Sequence, residues 1–182
     1  MLPWTTAVRI ASPEAAPVLA SGKDGAGDPQ AGMHPAFAAA RVDQVLSADG
    51  QVALGNLRLT ALSTPGHTPG ALTWQWRSCQ QGPRRRECRW LVYADSLSPI
   101  SSPAYRFSDH PVYLASFQRG LDQLASLDCN LLLTPHPAAS AMRARLLAPG
   151  GLEDSGACLA FSITIRRRLD ARLASERAAK AP

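Results

Sequence analysis

Two histidines stand in brackets of proline and glycine. His67 lies in Ser63-Thr64-Pro65-Gly66-His67-Thr68-Pro69-Gly70, and His136 in Leu131-Leu132-Leu133-Thr134-Pro135-His136-Pro137. Each closes an apolar, strand-like run. Proline fixes φ and glycine permits bends that other residues resist, so each imidazole rides on a turn with few conformations. Ordered turns on a rigid scaffold are where metal ligands are commonly held, and neutral imidazole is the commonest of them. The competing reading is a histidine hydrogen-bonded inside a buried turn. The two stand 69 residues apart. That separation excludes a local zinc knuckle and leaves two corners of one site at a sheet edge.

Catalytic zinc takes roughly three protein ligands plus an open position for water. These histidines supply two. The others are His34, in a loop and read as a surface residue, and His110; no His-x-His-x-Asp-His run occurs in the 182 residues. A third strand-like run, 90–93, ends at Asp95-Ser96-Leu97-Ser98. An acid and two hydroxyls there suit orienting a bound water or holding a substrate carboxylate. Equally, Asp and Ser terminate strands and cap turns.

The elements that must position these groups are legible in the apolar periodicity. Residues 8–10 suggest a strand. Ser12-Pro13-Glu14 opens a helix through about Leu19, with Ser at N-cap and Pro at N1. Residues 21–40 are rich in Gly, Ala and Pro without an apolar period and read as an exposed loop. From 42 to 93 the period is two, with Asp49-Gly50 as a hairpin signal, and the stretch reads as consecutive antiparallel strands. Leu72, Trp74 and Trp76 share one face. Residues 78–88 read as a polar, basic loop. Helical spacing then takes over: Tyr113, Leu114, Phe117, Leu121, Leu124 and Leu127 face one way. Residues 130–133 form a short buried strand, and 142–147 one or two helical turns. The last helix, capped by Asp154 or Ser155, runs through Leu159, Ile163, Ile165 and Leu169 to Leu173 with arginines outside. Sheet followed by alternating helix and strand suits one layered α/β domain with helices on the outer faces.

Other chemistries fit less well. A serine nucleophile lacks its Gly-x-Ser-x-Gly elbow. Gly25-Ala26-Gly27 has neither the preceding strand nor the later lysine of a phosphate loop. The net charge of +5 is concentrated in Arg84-Arg85-Arg86, Arg89 and Arg166-Arg167-Arg168 without interleaved aromatics, which argues for solvated faces rather than a nucleic-acid site. No apolar run reaches the ~18–20 residues of a membrane span, and MLPWTTAVRI lacks the plan of a secretory signal. Four cysteines allow three pairings. Spacing favours Cys79 with Cys88 and Cys129 with Cys158, which need an oxidising compartment; the alternative is four free thiols in the cytosol.

Taken together, these motifs resemble the metallo-β-lactamases, specifically their third (B-type) subclass. Residues 64–70 resemble the family's third-histidine turn, and Thr73-Trp74-Gln75-Trp76 the strand after it. Tyr93-Ala94-Asp95-Ser96-Leu97-Ser98 resembles the subclass hallmark, where serine replaces a metal-binding cysteine. Residues 131–137 resemble the last ligand segment. Cys129 with Cys158 resembles a disulfide widespread in the subclass, and Cys79 with Cys88 one found in some members. The likeness runs from about Val8 to the C-terminal helix.

The resemblance implies an α/β fold, the αββα sandwich, with a di-zinc site at one edge. His67 would ligate the first zinc and His136 the second, while Ser96 and Ser98 would hold water and the substrate carboxylate. Asp95 resembles an acid that bridges metals elsewhere in the superfamily and is not expected to touch them in this subclass. The family's other four ligands come from His-x-His-x-Asp-His, which here would precede Met1. We therefore expect residues 1–7 to be a leader foreign to the family, and 8–182 to be the C-terminal two-thirds of the domain without its N-terminal strands. Apolar faces such as those of Leu57, Leu59, Trp74 and Trp76 would be left open. The expected activity is zinc-dependent β-lactam hydrolysis, impaired in this chain, with no residue assigned as a catalytic acid, base or nucleophile. The alternatives are a non-catalytic remnant, a half-domain needing a separate N-terminal piece, or a lactone or thioester hydrolase. The expected partner is a small β-lactam, with no nucleic acid or membrane, and the chain a monomer. The intact family implies the periplasm; the chain as written reads as cytoplasmic.

Overall fold

The computed structural model describes residues 8–25, 27–47, 49–81 and 86–179. The expected leader, with Arg84 and Arg85, lies outside them. A five-stranded sheet runs in the order β3 (Gln51–Leu54), β4 (Leu57–Ser63), β5 (Leu72–Gln81), β6 (Arg86–Tyr93), β7 (Leu131–Leu133). Strands β3 to β6 are antiparallel neighbours; β7 joins β6 in parallel, with Val92 beside Leu132. The parallel pairing follows from the crossover between them, which carries α2 (Pro111–Ala125).

Helix α2 buries Phe117, Leu121 and Leu124 completely. They pack with Val92 and Leu132 of the sheet and with Phe161, Ile165 and Leu169 of α4 (Ala157–Ala178). The spacing of three and four in α2 thus marks the core face. In α4 the same pattern runs through Cys158, Phe161, Ser162, Ile165 and Leu169. Leu159 and Ile163, expected inside, are 50% and 42% exposed. They stand one position away from Cys158 and Ser162, and one step around a helix is about 100°. The short helix α3 (Met142–Leu147) has the predicted bounds.

Two expectations need correction. Residues 42–46 do not begin the antiparallel run: β2 (Gln44–Val45) pairs in parallel with β1 (Ile10–Ala11), as a separate two-stranded sheet. Asp43 is the reason on the sequence side, because its carboxylate accepts from the Arg9 amide at 3.0 Å and ties this segment to the start of the chain. The loop expected over 78–88 is mostly strand. β5 reaches Gln81 and β6 starts at Arg86, with Cys79 directly opposite Cys88. Polar residues read as loop because both faces at this end of the sheet are wet. The structure carries both favoured disulfides, Cys79–Cys88 and Cys129–Cys158. Cys129–Cys158 binds the approach to β7 to the first turn of α4.

The opposite face of the sheet is open. Leu59, Trp74 and Trp76 are half-buried and Tyr93 is exposed. With Val8, Ile10 and Val52 they line an apolar groove. No helix among the described residues is long and apolar enough to cross a membrane.

Candidate functional site

The His67 turn begins where β4 ends. Thr64 is fully buried and shares a hydrogen bond with the Thr73 hydroxyl across to β5, 2.9 Å. The Thr64 amide donates to Ala71 O at 3.0 Å, closing the loop. Gly66 is required by close approach: a Cβ there would lie 2.5 Å from the Phe117 ring. Gly70 is pressed as closely, its Cβ position 2.6 Å from the Ala15 amide nitrogen. The prolines and glycines that marked this turn therefore seat it between the α2 core and the start of α1 (Ala15–Ser21).

Three carbonyls of the turn accept from three different elements. Tyr113 Oη on α2 donates to Gly66 O at 3.2 Å, Gln30 Nε2 to His67 O at 2.9 Å, and Ser12 Oγ to Gly70 O at 2.8 Å. Ser12 Oγ also accepts from the Ala15 amide at 3.1 Å, tying the start of α1 to the turn, although α1 begins at Ala15 with Glu14, not the expected Ser12, as its N-cap residue. Burial raises the Tyr113 phenol well above its ordinary value, helped by Tyr105 and Asp28 nearby. It remains a neutral donor to Gly66 at physiological pH.

The imidazole of His67 is fixed by the Asp95–Ser98 segment. Its Nδ1 lies 3.2 Å from Ser98 O. A carbonyl only accepts, so Nδ1 carries a proton in this pairing, and in the neutral ring that places the lone pair on Nε2. This is how metal-ligating histidines are held: one ring nitrogen donates to the protein, and the other is left basic. His136 follows β7 on an exposed turn. Thr134 Oγ1 donates to His136 O at 3.2 Å, and the Ala139 amide does so at 2.9 Å. The two rings meet edge to face with centroids 6.2 Å apart. The fold thus brings the two bracketed histidines together.

Ser96 and Ser98 are both buried, at 2% and 7% exposure. Between them Leu97 is fully buried with φ of 51°, left-handed backbone that a γ-branched residue rarely adopts. Such strain gathers at sites where the surroundings over-determine the chain. Asp95 Oδ1 accepts from the Ser96 amide at 2.6 Å, a turn-capping role. The Ser96 hydroxyl is buried with no hydrogen-bond partner among the described residues. A hydroxyl left so costs roughly 1–3 kcal/mol unless a water or ligand satisfies it.

Among the described residues no group of three or more His, Cys, Asp or Glu converges as a metal cage. The donors present fit two corners of a zinc site and do not complete one. His34 and His110 belong elsewhere: His34 is exposed beside Gln30, and His110 stacks on Tyr105 with centroids 4.2 Å apart. Sequence reasoning missed Gln30 and Tyr113 as contacts of the turn. Gln30 sits in a Gly- and Pro-rich loop with no periodicity, and Tyr113 was legible only as part of the α2 core face.

No family model matches the chain. Solved structures do. MIM-2 metallo-β-lactamase is 53% identical over 93% of this chain, TM-score 0.86, and the chain covers 61% of its length. MEM-A1, a subclass B3 enzyme from a soil metagenome library, is 34% identical with TM-score 0.85, covering 96% of this chain and 67% of its own. SMB-1, solved with 2-mercaptoethanesulfonate bound, is 37% identical with TM-score 0.83, covering 93% and 66% respectively. The chain spans about three-fifths to two-thirds of the structures it matches. With a helix-backed sheet and paired histidine turns at one edge, the chain belongs to the metallo-β-lactamases, in subclass B3.

Proposed function

We propose that this chain carries one part of the zinc site of a β-lactam hydrolase. His67 and His136 serve as ligands, one to each of two zinc ions, and Ser96 and Ser98 lie on the side that takes water and the substrate carboxylate. The observation that carries this reading is the pairing of Nδ1 of His67 with Ser98 O, which leaves Nε2 as the ring nitrogen not engaged by that bond, beside the second imidazole. Bound zinc would supply a more acidic water and a polarised lactam carbonyl. The other ligands come from outside the described residues, so the chain alone is impaired. On this reading residues 8–182 are the C-terminal part of the domain. The two disulfides favour an oxidising compartment such as the periplasm. That SMB-1 holds 2-mercaptoethanesulfonate is consistent with a small anionic ligand here.

A second reading is favoured by the open apolar groove: the chain is a half-domain whose activity needs a separate piece. Nitrocefin turnover with added zinc, with metal content by mass spectrometry, tests both. The expected result is little turnover from the chain alone. Turnover abolished by EDTA and by His67→Ala would overturn the impairment. Turnover indifferent to both would overturn the zinc reading.

A further inference from the structure

We infer that Gln30 is a positioning residue for His67, acting through the backbone of the ligand turn; the functional weight of this inference rests on the zinc reading above. Gln30 is 8% exposed, although it sits in a loop that composition marks as solvent-facing. Its Nε2 donates to His67 O at 2.9 Å. The amide orientation is chemically forced, since a carbonyl oxygen accepts from NH2 and cannot pair with the amide oxygen. The other end, Oε1, is 3.4 Å from Nε2 of the exposed His34, a long contact. So the strong bond of Gln30 is to the ligand-bearing residue.

The loop itself is anchored on both sides of that bond. Asp28 Oδ1 accepts from the Gln30 amide at 2.8 Å, fixing the backbone that launches the side chain. Pro29 is fully buried, and its carbonyl accepts from the Ser102 amide at 2.8 Å. Ser102 lies four residues beyond Ser98, whose carbonyl accepts from the His67 ring. The bonds close a circuit: Pro29 to Ser102, along the chain to Ser98, to the His67 imidazole, and from the His67 carbonyl back to Gln30. Within it the His67 ring and His67 backbone are restrained by two different segments. Tyr113 and Ser12 hold neighbouring carbonyls of the turn, but the link at His67 itself is made by Gln30. A ring nitrogen that must meet a metal within a few tenths of an ångström needs both its rotamer and its backbone fixed.

The test uses the full chain with both disulfides formed and without metal. Amide hydrogen exchange is read at Gly66 and Ala71, which donate within the turn, against Val92 in the core sheet as internal reference. Gln30→Met keeps length and volume but removes the donor. It is expected to speed exchange at Gly66 and Ala71 about two- to tenfold relative to Val92, the range for one lost hydrogen bond. It is also expected to broaden the distribution of His67 ring nitrogen shifts away from the Nδ1–H tautomer. Gln30→Glu, which sets a carboxylate against the carbonyl, is expected to do more, and His34→Ala nothing. Unchanged turn exchange in both Gln30 variants would overturn the inference. So would equal acceleration at Val92, or an equal effect from His34→Ala. Zinc titration of the wild-type chain is the separate arm. If the His67 signals ignore zinc, the zinc reading fails, while the metal-free exchange still decides the role of Gln30.

Discussion

The two faces of the five-stranded sheet are made by alternate residues of the same strands, yet they end in different states. On one, Val92 and Leu132 are sealed under α2 and α4, at 0% and 1% exposure. On the other, Trp74 and Trp76 are half-buried beside an exposed Tyr93, in a groove open to solvent. The two histidines repeat the contrast. His67 sits in a turn packed on Phe117 and held at three carbonyls and one ring nitrogen. His136 is exposed on a turn held mainly by its own neighbours. Periodicity and turn chemistry therefore suffice to build a helix-backed layer and one rigid histidine turn. Among the described residues the other face and the other histidine turn stay open.

The two faces should differ most in what damage to each costs. Phe117→Ala should cost about 3–5 kcal/mol in urea unfolding, because it empties a fully buried site that also supports Gly66. Trp76→Ala, on the open face, should cost under about 1.5 kcal/mol and improve solubility, since an apolar patch is removed from water. Equal costs would mean that the groove is a finished core. Next come the disulfides. Losing Cys129–Cys158, which closes 29 residues and joins two core elements, should cost about 2–4 kcal/mol. Cys79–Cys88 joins residues that already face each other across the β5–β6 ladder, so its loss should cost less and leave the melting temperature nearly unchanged.

Much of this is legible in the sequence, for physical reasons. Pro and Gly around His67 report a close approach, because a Cβ at position 66 would strike Phe117. The α2 spacing reports a buried stripe. The loop that holds Gln30 follows no period: its order comes from single hydrogen bonds to His67 O and Ser102 N, which leave no mark in composition. Polar strands at a wet sheet end, as at 78–80, look like loop for the complementary reason. Leu159 and Ile163 show the converse: apolar residues next to a helical stripe share its spacing yet lie outside it.

A smaller effect concerns acid. Glu176 is buried on α4; burial alone would raise its pKa, but hydrogen bonds from Arg172 and from the Ser108 and Phe107 amides outweigh it and hold the carboxyl below its ordinary 4.5. A depressed folded pKa contributes stability that is present above the unfolded value and lost as pH falls through the folded one. The melting temperature should therefore hold from pH 7 to about 5 and drop below about 4.5. Glu176→Gln should lower stability at pH 7 and flatten that acid limb. An unchanged acid limb in the variant would place the loss elsewhere.

On the proposed reading the two bracketed histidines are two of the six ligands of a di-zinc site. The most direct measurement is the ring nitrogen spectrum of all four histidines during zinc titration of the full chain. His67 and His136 are expected to shift together, with the His67 Nδ1 proton retained and its Nε2 signal moving, while His34 and His110 stay still. Movement of His34 or His110 in their place, or a silent His67, would contradict it.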